Sequence, residues 1–158
     1  MSSLPVLTSP NAELRIVSTD FSPEEITQPE TKTLVKNLIE TMRVENGIGI
    51  AAPQIGVHKR LIIVDVGNNQ PQAFFNPKIT SKSFTKVDSE EGCLSVPGTF
   101  GMVKRHRSVT VTALTPQGAS QTFRADGLMA IVFQHEIDHL DGVLFIDKVT
   151  KYTTHPKL

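Results

Sequence analysis

The segment His135-Glu136-Ile137-Asp138-His139 carries the pattern H-E-x-x-H within an apolar stretch of the chain at 128–140. On a helix, side chains four residues apart lie on one face, so the imidazoles of His135 and His139 can bind a single metal ion. The carboxylate of Glu136, next to the first imidazole, can reach a water molecule at that ion. A metal ion with an open coordination position turns water into a nucleophile near neutral pH. The segment therefore predicts the metal-binding helix of a hydrolase.

A third protein ligand is required, and the residues alone leave its identity open. No glutamate follows Glu136, and the extended pattern that ends in a third histidine has Phe145 at that place. Asp141 and Asp147 are candidates downstream of the helix. Upstream, Cys93 is the single cysteine of the chain. A lone cysteine is either a small buried apolar residue or, in a chain with a metal-binding helix, a candidate thiolate ligand.

Composition predicts one soluble folded unit. A chain of 158 residues can build a full core, and we expect residues 1–158 to form a single catalytic domain. The 16 basic and 16 acidic residues balance, which does not favour binding to nucleic acid or to a membrane. One cysteine cannot form an internal disulfide, and the sequence shows neither a signal peptide nor an apolar run of membrane-spanning length. We therefore expect a cytoplasmic protein.

Hydrophobic periodicity and turn signals predict an α+β fold. Helices are expected at 10–17, with Ser9 as the N-cap, at 30–45, and from Asp126 or Gly127 up to Gly142. A loop is expected at 21–29. Strands are expected at 61–66, 74–75, 84–87, 108–114 and 119–124. Because the strands do not alternate regularly with helices, the fold is predicted to be α+β.

The segment from Gly47 to Gln54 is unusual for its two glycines, which bracket Ile48. Glycine allows a ligand backbone to approach closely, and Gln54 offers both a donor and an acceptor. The segment is neither a phosphate loop, since no Gly-Lys-Ser/Thr follows, nor a dinucleotide fingerprint, since it follows a helix. Taken by itself, it indicates a structural turn.

Three segments in this order resemble the signatures of peptide deformylase. The patterns G-x-G-x-A-A-x-Q, E-G-C-L-S and H-E-x-D-H-L-x-G occur at 47–54, 91–95 and 135–142. The resemblance implies antiparallel β-sheets around a central helix that carries the two histidines. It also implies hydrolysis of the formyl group from N-formyl-methionyl nascent polypeptides, with release of formate.

The resemblance also implies the catalytic roles. Cys93, His135 and His139 would bind the metal, with water as the fourth ligand, which is the arrangement of a catalytic site. Glu136 would act as general base on the water and then carry the proton to the leaving amine. The oxyanion would be stabilised by the side-chain amide of Gln54, and also by the backbone N–H of Leu94. Fe(II) is implied as the physiological ion, with Zn, Ni or Co as substitutes.

Substrate contacts follow from the same resemblance. Ile48, Gly49 and Gly92 would present backbone groups to an extended peptide. The pocket for the methionine side chain would be formed by four apolar residues: Ile48, Leu128, Ile131 and Val132. For Leu128 in particular, plain core packing is an equal alternative.

The chain departs from many bacterial deformylases in two places. The tail after the metal helix is only 148–158 and contains Pro156, whereas many bacterial members continue into a longer C-terminal helix that serves in ribosome docking. We therefore expect at most a weak ribosome contact, and a monomer without specific nucleic-acid binding. Phe100 stands where many members carry a basic residue. The basic residues at 104–107 are expected on a solvated strand or loop, and a surface that faces ribosomal RNA is the less favoured alternative.

Two other functions stay open at this point. A metallopeptidase that cuts internal peptide bonds would use Asp141 or Asp147 as its third ligand. A catalytically idle relative would bind metal or peptide only, although every catalytic position of the pattern is intact.

Overall fold

Two antiparallel sheets and three α-helices form the part of the chain that this computed structural model describes, residues 2–154. The helices are α1 (Pro23–Ile26), α2 (Pro29–Val44) and α3 (Leu128–Leu140). The strands are β1 (Gly49–Ala51), β2 (Leu61–Asp65), β3 (Pro71–Lys82), β4 (Lys86–Cys93), β5 (Val96–His106), β6 (Ser108–Leu114), β7 (Ser120–Asp126) and β8 (Val149–Tyr152). The expectation about Pro156 lies outside the described residues.

The sheet topology confirms the predicted α+β fold. Five strands pair antiparallel in the order β1-β2-β3-β6-β7, and three more pair in the order β4-β5-β8. Helix α3, which is predicted to bind the metal, contacts strands of both sheets. Within residues 2–154, no helix is long and apolar enough to cross a membrane.

The apolar face of α3 explains how the helix is held in place. Ala130, Phe133, Ile137 and Leu140 recur at intervals of three or four residues, and all are buried against the five-stranded sheet. The ring of Phe133 meets Phe74 edge to face at a centroid distance of 4.9 Å. Burying each large side chain of this kind contributes about 1.5–3 kcal/mol. Packing of this face therefore fixes the direction in which the other side of α3 presents its histidines.

A second cluster of buried side chains supports the segment after α2. Leu38 and Met42 of α2 pack with Ile50 of β1 and Ile63 of β2. Strand β1 pairs with β2, with Gly49 opposite Val64. The 47–54 segment is consequently a strand followed by a 3-10 turn at Ala52–Ile55, and the interpretation of it as a plain turn was wrong in part.

The structure corrects three further predictions. The expected helix at 10–17 is a 3-10 turn at Ala12–Arg15, capped by Asn11, whose side chain accepts the N–H of Glu13. The expected loop at 21–29 contains α1, opened by a capping box between Ser22 and Glu25.

The expected strand at 84–87 starts only at Lys86, because Phe84 lies fully exposed in the turn between β3 and β4. The tail forms β8, which pairs with β5. That residues 1–158 form a single domain stays a prediction.

Candidate active site

Three potential metal ligands meet at one point of the structure. Cys93 ends β4, and His135 and His139 project from α3, with their ligand atoms all within 4.8 Å of one another. The Sγ atom of Cys93 lies 3.3 Å from Nε2 of His139. A thiolate with two imidazoles is a donor set that zinc and iron accept, so the residues present fit the divalent ion that the family resemblance implies.

The aspartates considered as alternative ligands are engaged elsewhere. Asp141 forms an ion pair with Arg60, and Asp147 pairs with Arg15. Within residues 2–154, the cluster of potential ligands around α3 contains Cys93 and neither aspartate. Local strand geometry explains the position of the cysteine, because the register of β4 and β5 shifts between Glu91 and Cys93. Such an irregularity re-aims the side chain that follows it.

A buried ionic network holds the first histidine. The Nδ1 atom of His135 lies 2.9 Å from Oε1 of Glu91. The other ring nitrogen, Nε2, is therefore the one available to bind a metal ion. Two guanidinium nitrogens of Arg105 donate to the Glu91 carboxylate at 2.8 Å, and a third donates to Asp138 at 2.7 Å. Burial alone would raise the pKa of Glu91, but the bonds to Arg105 and His135 prevail and lower it to about 2. Glu91 is therefore a carboxylate that orients a potential metal ligand.

Sequence reasoning missed this network. Arg105 was expected on a solvated strand or loop, yet only 2% of its surface is exposed. Glu91 and Asp138 lie within two of the family motifs, but no role was predicted for them from the sequence. For Asp138, the spacing is a signal that could have indicated the network. Asp138 follows His135 by three residues, so the two side chains lie near each other on the helix surface.

The two imidazoles differ in their protonation. Burial lowers the pKa of His139 well below its usual value, so this imidazole is neutral, which is the form that binds metal. Burial would also lower the pKa of His135, but the contacts with Cys93 and Glu91 outweigh it and raise the pKa to about 10. Binding of a metal ion by His135 would require the loss of this proton.

Glu136 is buried beside the potential metal ligands Cys93, His135 and His139. Burial raises the pKa of its carboxyl group to about 7. Within residues 2–154, its Oε2 atom has no hydrogen-bond partner. Gly49 lies directly against this carboxyl group, since a Cβ atom on Gly49 would stand 2.8 Å from Oε1. The glycine therefore makes room for the Glu136 side chain, a role that the sequence did not indicate.

Gln54 points its amino group toward the cluster. The backbone N–H of Ala51 donates to Oε1 at 2.9 Å, which assigns the orientation of the amide. The Nε2 atom then donates to the hydroxyl of Ser95 at 3.1 Å and lies 3.7 Å from Sγ of Cys93. Ser95 is fully buried and was not singled out in the sequence.

A cavity of about 550 Å³ opens in front of these groups. It is lined by every predicted site residue except the deeply buried His139: Ile48, Gly49, Gln54, Gly92, Cys93, Leu94, Leu128, Ile131, Val132, His135 and Glu136. Leu128 is 61% exposed, so the core-packing alternative for it was wrong. Phe100, whose role the sequence left undecided, also lines the cavity.

Comparison with known proteins places the chain in a family. The model of the family described as Polypeptide deformylase matches residues 3–155. Peptide deformylase 2 of Xanthomonas axonopodis pv. citri and peptide deformylase of Pseudoalteromonas translucida are each 44% identical to the chain over 149 residues. Those residues are 93% of this chain and 87% of either relative.

Solved structures agree in fold. A Met-Ala-Ser-bound class I type b peptide deformylase from Acinetobacter baumannii matches with a TM-score of 0.90 and 36% identity, covering 94% of this chain and 100% of that one. The peptide deformylase of Thermotoga maritima matches with a TM-score of 0.90 and 33% identity, covering 95% and 99%. These matches confirm the resemblance found in the three motifs. The chain belongs to the polypeptide deformylase family and removes the N-formyl group from nascent polypeptides.

Proposed function

We propose that Cys93, His135 and His139 hold the metal ion of this deformylase and that Glu136 moves the protons of the reaction. The observation that carries the proposal is the convergence of three ligand atoms within 4.8 Å of one another, next to a buried carboxyl group. A bound divalent ion supplies a Lewis acid that lowers the pKa of water and polarises the formyl oxygen. Three protein ligands leave a coordination position free for that chemistry.

Glu136 takes the proton from the attacking water and delivers it to the amine that leaves. A pKa of about 7 suits both halves of this task, because a group that titrates near the working pH accepts and releases a proton equally well. We assign the water contact to Oε2, the carboxyl oxygen without a partner among residues 2–154. The absence of a side chain at Gly49 leaves the space that this carboxyl group occupies.

Negative charge develops on the formyl oxygen as water adds to the carbonyl carbon. The Gln54 amide and the Leu94 backbone N–H are the donors proposed for this charge. The amide is held at its carbonyl end by Ala51, so its amino group is directed before the substrate arrives. A donor that needs no reorientation stabilises the transition state more than one that does.

The substrate is proposed to bind as an extended strand. Ile48, Gly49 and Gly92 would bond to its backbone, and its methionine side chain would enter a pocket formed by Ile48, Leu128, Ile131 and Val132. All of these residues line the same cavity, which supports the assignment. The Acinetobacter baumannii relative was solved with Met-Ala-Ser bound, a peptide that a deformylase leaves after removing formate.

We further propose Fe(II) as the physiological ion, with Zn, Ni or Co as substitutes. The mixed thiolate and imidazole donors support a borderline ion of this group. A cytoplasmic monomer that meets nascent chains with at most a weak ribosome contact also stays a proposal.

One experiment tests the function directly. The protein is loaded anaerobically with Fe(II), or with Ni, and formate release from formyl-Met-Ala-Ser is measured beside cleavage of a blocked internal peptide. We expect formate from the first peptide and no cleavage of the second. Internal cleavage would support the metallopeptidase alternative, and absence of both reactions in metal-loaded protein would identify an idle relative.

A further inference from the structure

A second cavity, of about 260 Å³, is lined by strands of both sheets and by α3. Among residues 2–154, it shares no lining residue with the active-site cavity, and the proposed deformylation uses none of it. Two residues of the basic stretch at 104–107 line it, although that stretch has no part in the reaction. The lining residues are Ile79, Thr80, Ser81 and Lys82 of β3, Arg105 and His106 of β5, Gln134 and Asp138 of α3, and Lys148.

Arg105 brings unused hydrogen-bond donors to this cavity. A guanidinium group has five N–H donors. Among residues 2–154, three of them are used, two by Glu91 and one by Asp138, which leaves two. The side chain that carries them is only 2% exposed. Because a buried donor without an acceptor destabilises a fold, these two N–H groups favour an acceptor in the cavity.

Positive charge exceeds negative charge around the cavity. Lys82, Arg105 and Lys148 are cationic, and Asp138 is the single acidic residue among the described residues that line it. Asp138 accepts from Arg105 at 2.7 Å and from Lys148 at 3.0 Å. Even when Glu91 is counted against Arg105, one positive charge stays uncompensated. The cavity therefore attracts an anion and repels a cation.

Hydrogen bonds and strand geometry fix the walls of the cavity. The side chain of Gln134 accepts the backbone N–H of His106 at 2.9 Å and donates to the carbonyl of the same residue at 2.8 Å. On β3, the register with β6 shifts within 79–81, and an irregularity of this kind re-aims side chains. The walls are consequently rigid, and Lys82 and Lys148 add exposed ammonium groups to them.

The arrangement of the donors favours a tetrahedral oxyanion over a carboxylate. The cations come from three separate segments, with Lys82 on β3, Arg105 on β5 and Lys148 directly before β8. A phosphate presents oxygens in several directions and carries more than one negative charge near neutral pH, and arginine and lysine are its usual partners. A carboxylate presents only two oxygens in one plane. It therefore cannot meet donors from three segments equally well.

We propose that this cavity binds a small tetrahedral oxyanion of the phosphate class, held by Lys82, Arg105 and Lys148. The anion would supply acceptors for the remaining N–H groups of the buried guanidinium and would stabilise the folded protein by mass action. The site is separate from the active-site cavity. Arg105 connects the two, because it also bonds to Glu91, the partner of His135.

The test titrates inorganic phosphate into the full chain, loaded with Ni, at pH 7 and at an ionic strength kept constant with NaCl. Isothermal titration calorimetry measures binding, and thermal unfolding measures stability. We expect one phosphate to bind per chain and to raise Tm, whereas NaCl alone at the same ionic strength does not. Acetate should bind about tenfold more weakly, because at least one charge-assisted hydrogen bond is lost.

Two variants locate the site. Lys82→Gln and Lys148→Gln should each weaken phosphate binding about three- to tenfold, the usual contribution of one hydrogen bond. Both side chains are exposed, so the variants should unfold like the original protein when phosphate is absent. Lys104→Gln is the matched control. Lys104 is likewise exposed and paired with an aspartate, Asp88, but it does not line the cavity, so this variant should bind phosphate normally.

Three results would overturn the proposal. The first is an absence of any effect of phosphate beyond that of NaCl, and the second is acetate binding as tightly as phosphate. The third is equal affinity in all three lysine variants, since the anion would then be bound at the metal ion or by surface charge in general. A short single-stranded RNA that binds where inorganic phosphate does not would also refute the cavity site, because the lysines would then belong to an open surface.

Discussion

The two ends of the active-site cavity are built in opposite ways. At the metal end, His135 is bonded to Glu91, which is bonded to Arg105, and all three side chains are buried or nearly so. At the mouth, Leu128 and Phe100 expose about half of their surface or more. The difference teaches that folding alone orients the ligand end, whereas the apolar mouth is left exposed where the proposed peptide substrate would bind. Variants at the two ends should therefore fail in different ways.

The largest effect is expected from Glu136→Gln, which removes the proposed proton carrier and keeps its volume beside Gly49. Turnover should fall by about 10²–10⁴-fold, the usual contribution of general acid–base catalysis. The metal content, measured by atomic absorption, should match that of the original protein, because Glu136 is not a proposed ligand. Near-normal turnover by the metal-loaded variant would rule out the assigned role.

Glu91→Ala tests whether the metal end is held by its buried ion pairs. Removal of Glu91 leaves Arg105 buried with one partner fewer, which should cost about 3–5 kcal/mol of unfolding free energy. Loss of the bond to His135 should also weaken metal binding about 10–100-fold. Urea unfolding and a metal-chelator competition measure the two effects.

Asp88→Ala provides the control for that comparison. Asp88 forms an ion pair with Lys104 in the same two strands, but both side chains are well exposed. Its loss should cost less than about 1 kcal/mol. Equal losses for the two variants would show that the buried network does not hold the site.

Gln54→Leu removes a proposed oxyanion donor and keeps a similar volume. We expect a loss of about 2.7–4 kcal/mol in transition-state stabilisation, by analogy with other donors of this kind. Because the donor acts on developing charge, kcat and kcat/KM should fall together while KM changes little. A raised KM at unchanged kcat would instead show that Gln54 binds the substrate, as is proposed for the residues at the mouth of the cavity.

The smallest effect is expected from a partly exposed ion pair whose residues do not line the cavity. Arg15 donates to Asp147 and lowers the pKa of that carboxyl group. A carboxyl with a pKa lowered by folding stabilises the protein above its ordinary pKa of about 4, and the contribution is lost as pH falls through the folded value. Asp147→Asn should cost less than about 1 kcal/mol at pH 7, because the pair is partly exposed to solvent. Unfolding at pH 7 and near pH 2 should show the difference disappearing at the lower pH.

Local patterns made the metal helix predictable. The spacing of His135 and His139 and the apolar period of α3 are properties of a single segment, and the structure has both. Cys93 and Gln54 lie far away in the sequence, and their place beside the helix was inferred from the resemblance to a family. Arg105 could not be foreseen as buried, because its burial results from the pairing of β4 with β5 and from the contact of α3 with β5.

The single thiol of the chain can be used to measure how much of the protein carries metal. Cys93 is the only cysteine of the chain, and its side chain lines the cavity. A thiol-specific chromophore can therefore report on one residue without background from any other. Binding of the sulfur to a metal ion should slow its alkylation. The labelling rate would therefore report the fraction of molecules that carry metal, in the same sample in which turnover is followed.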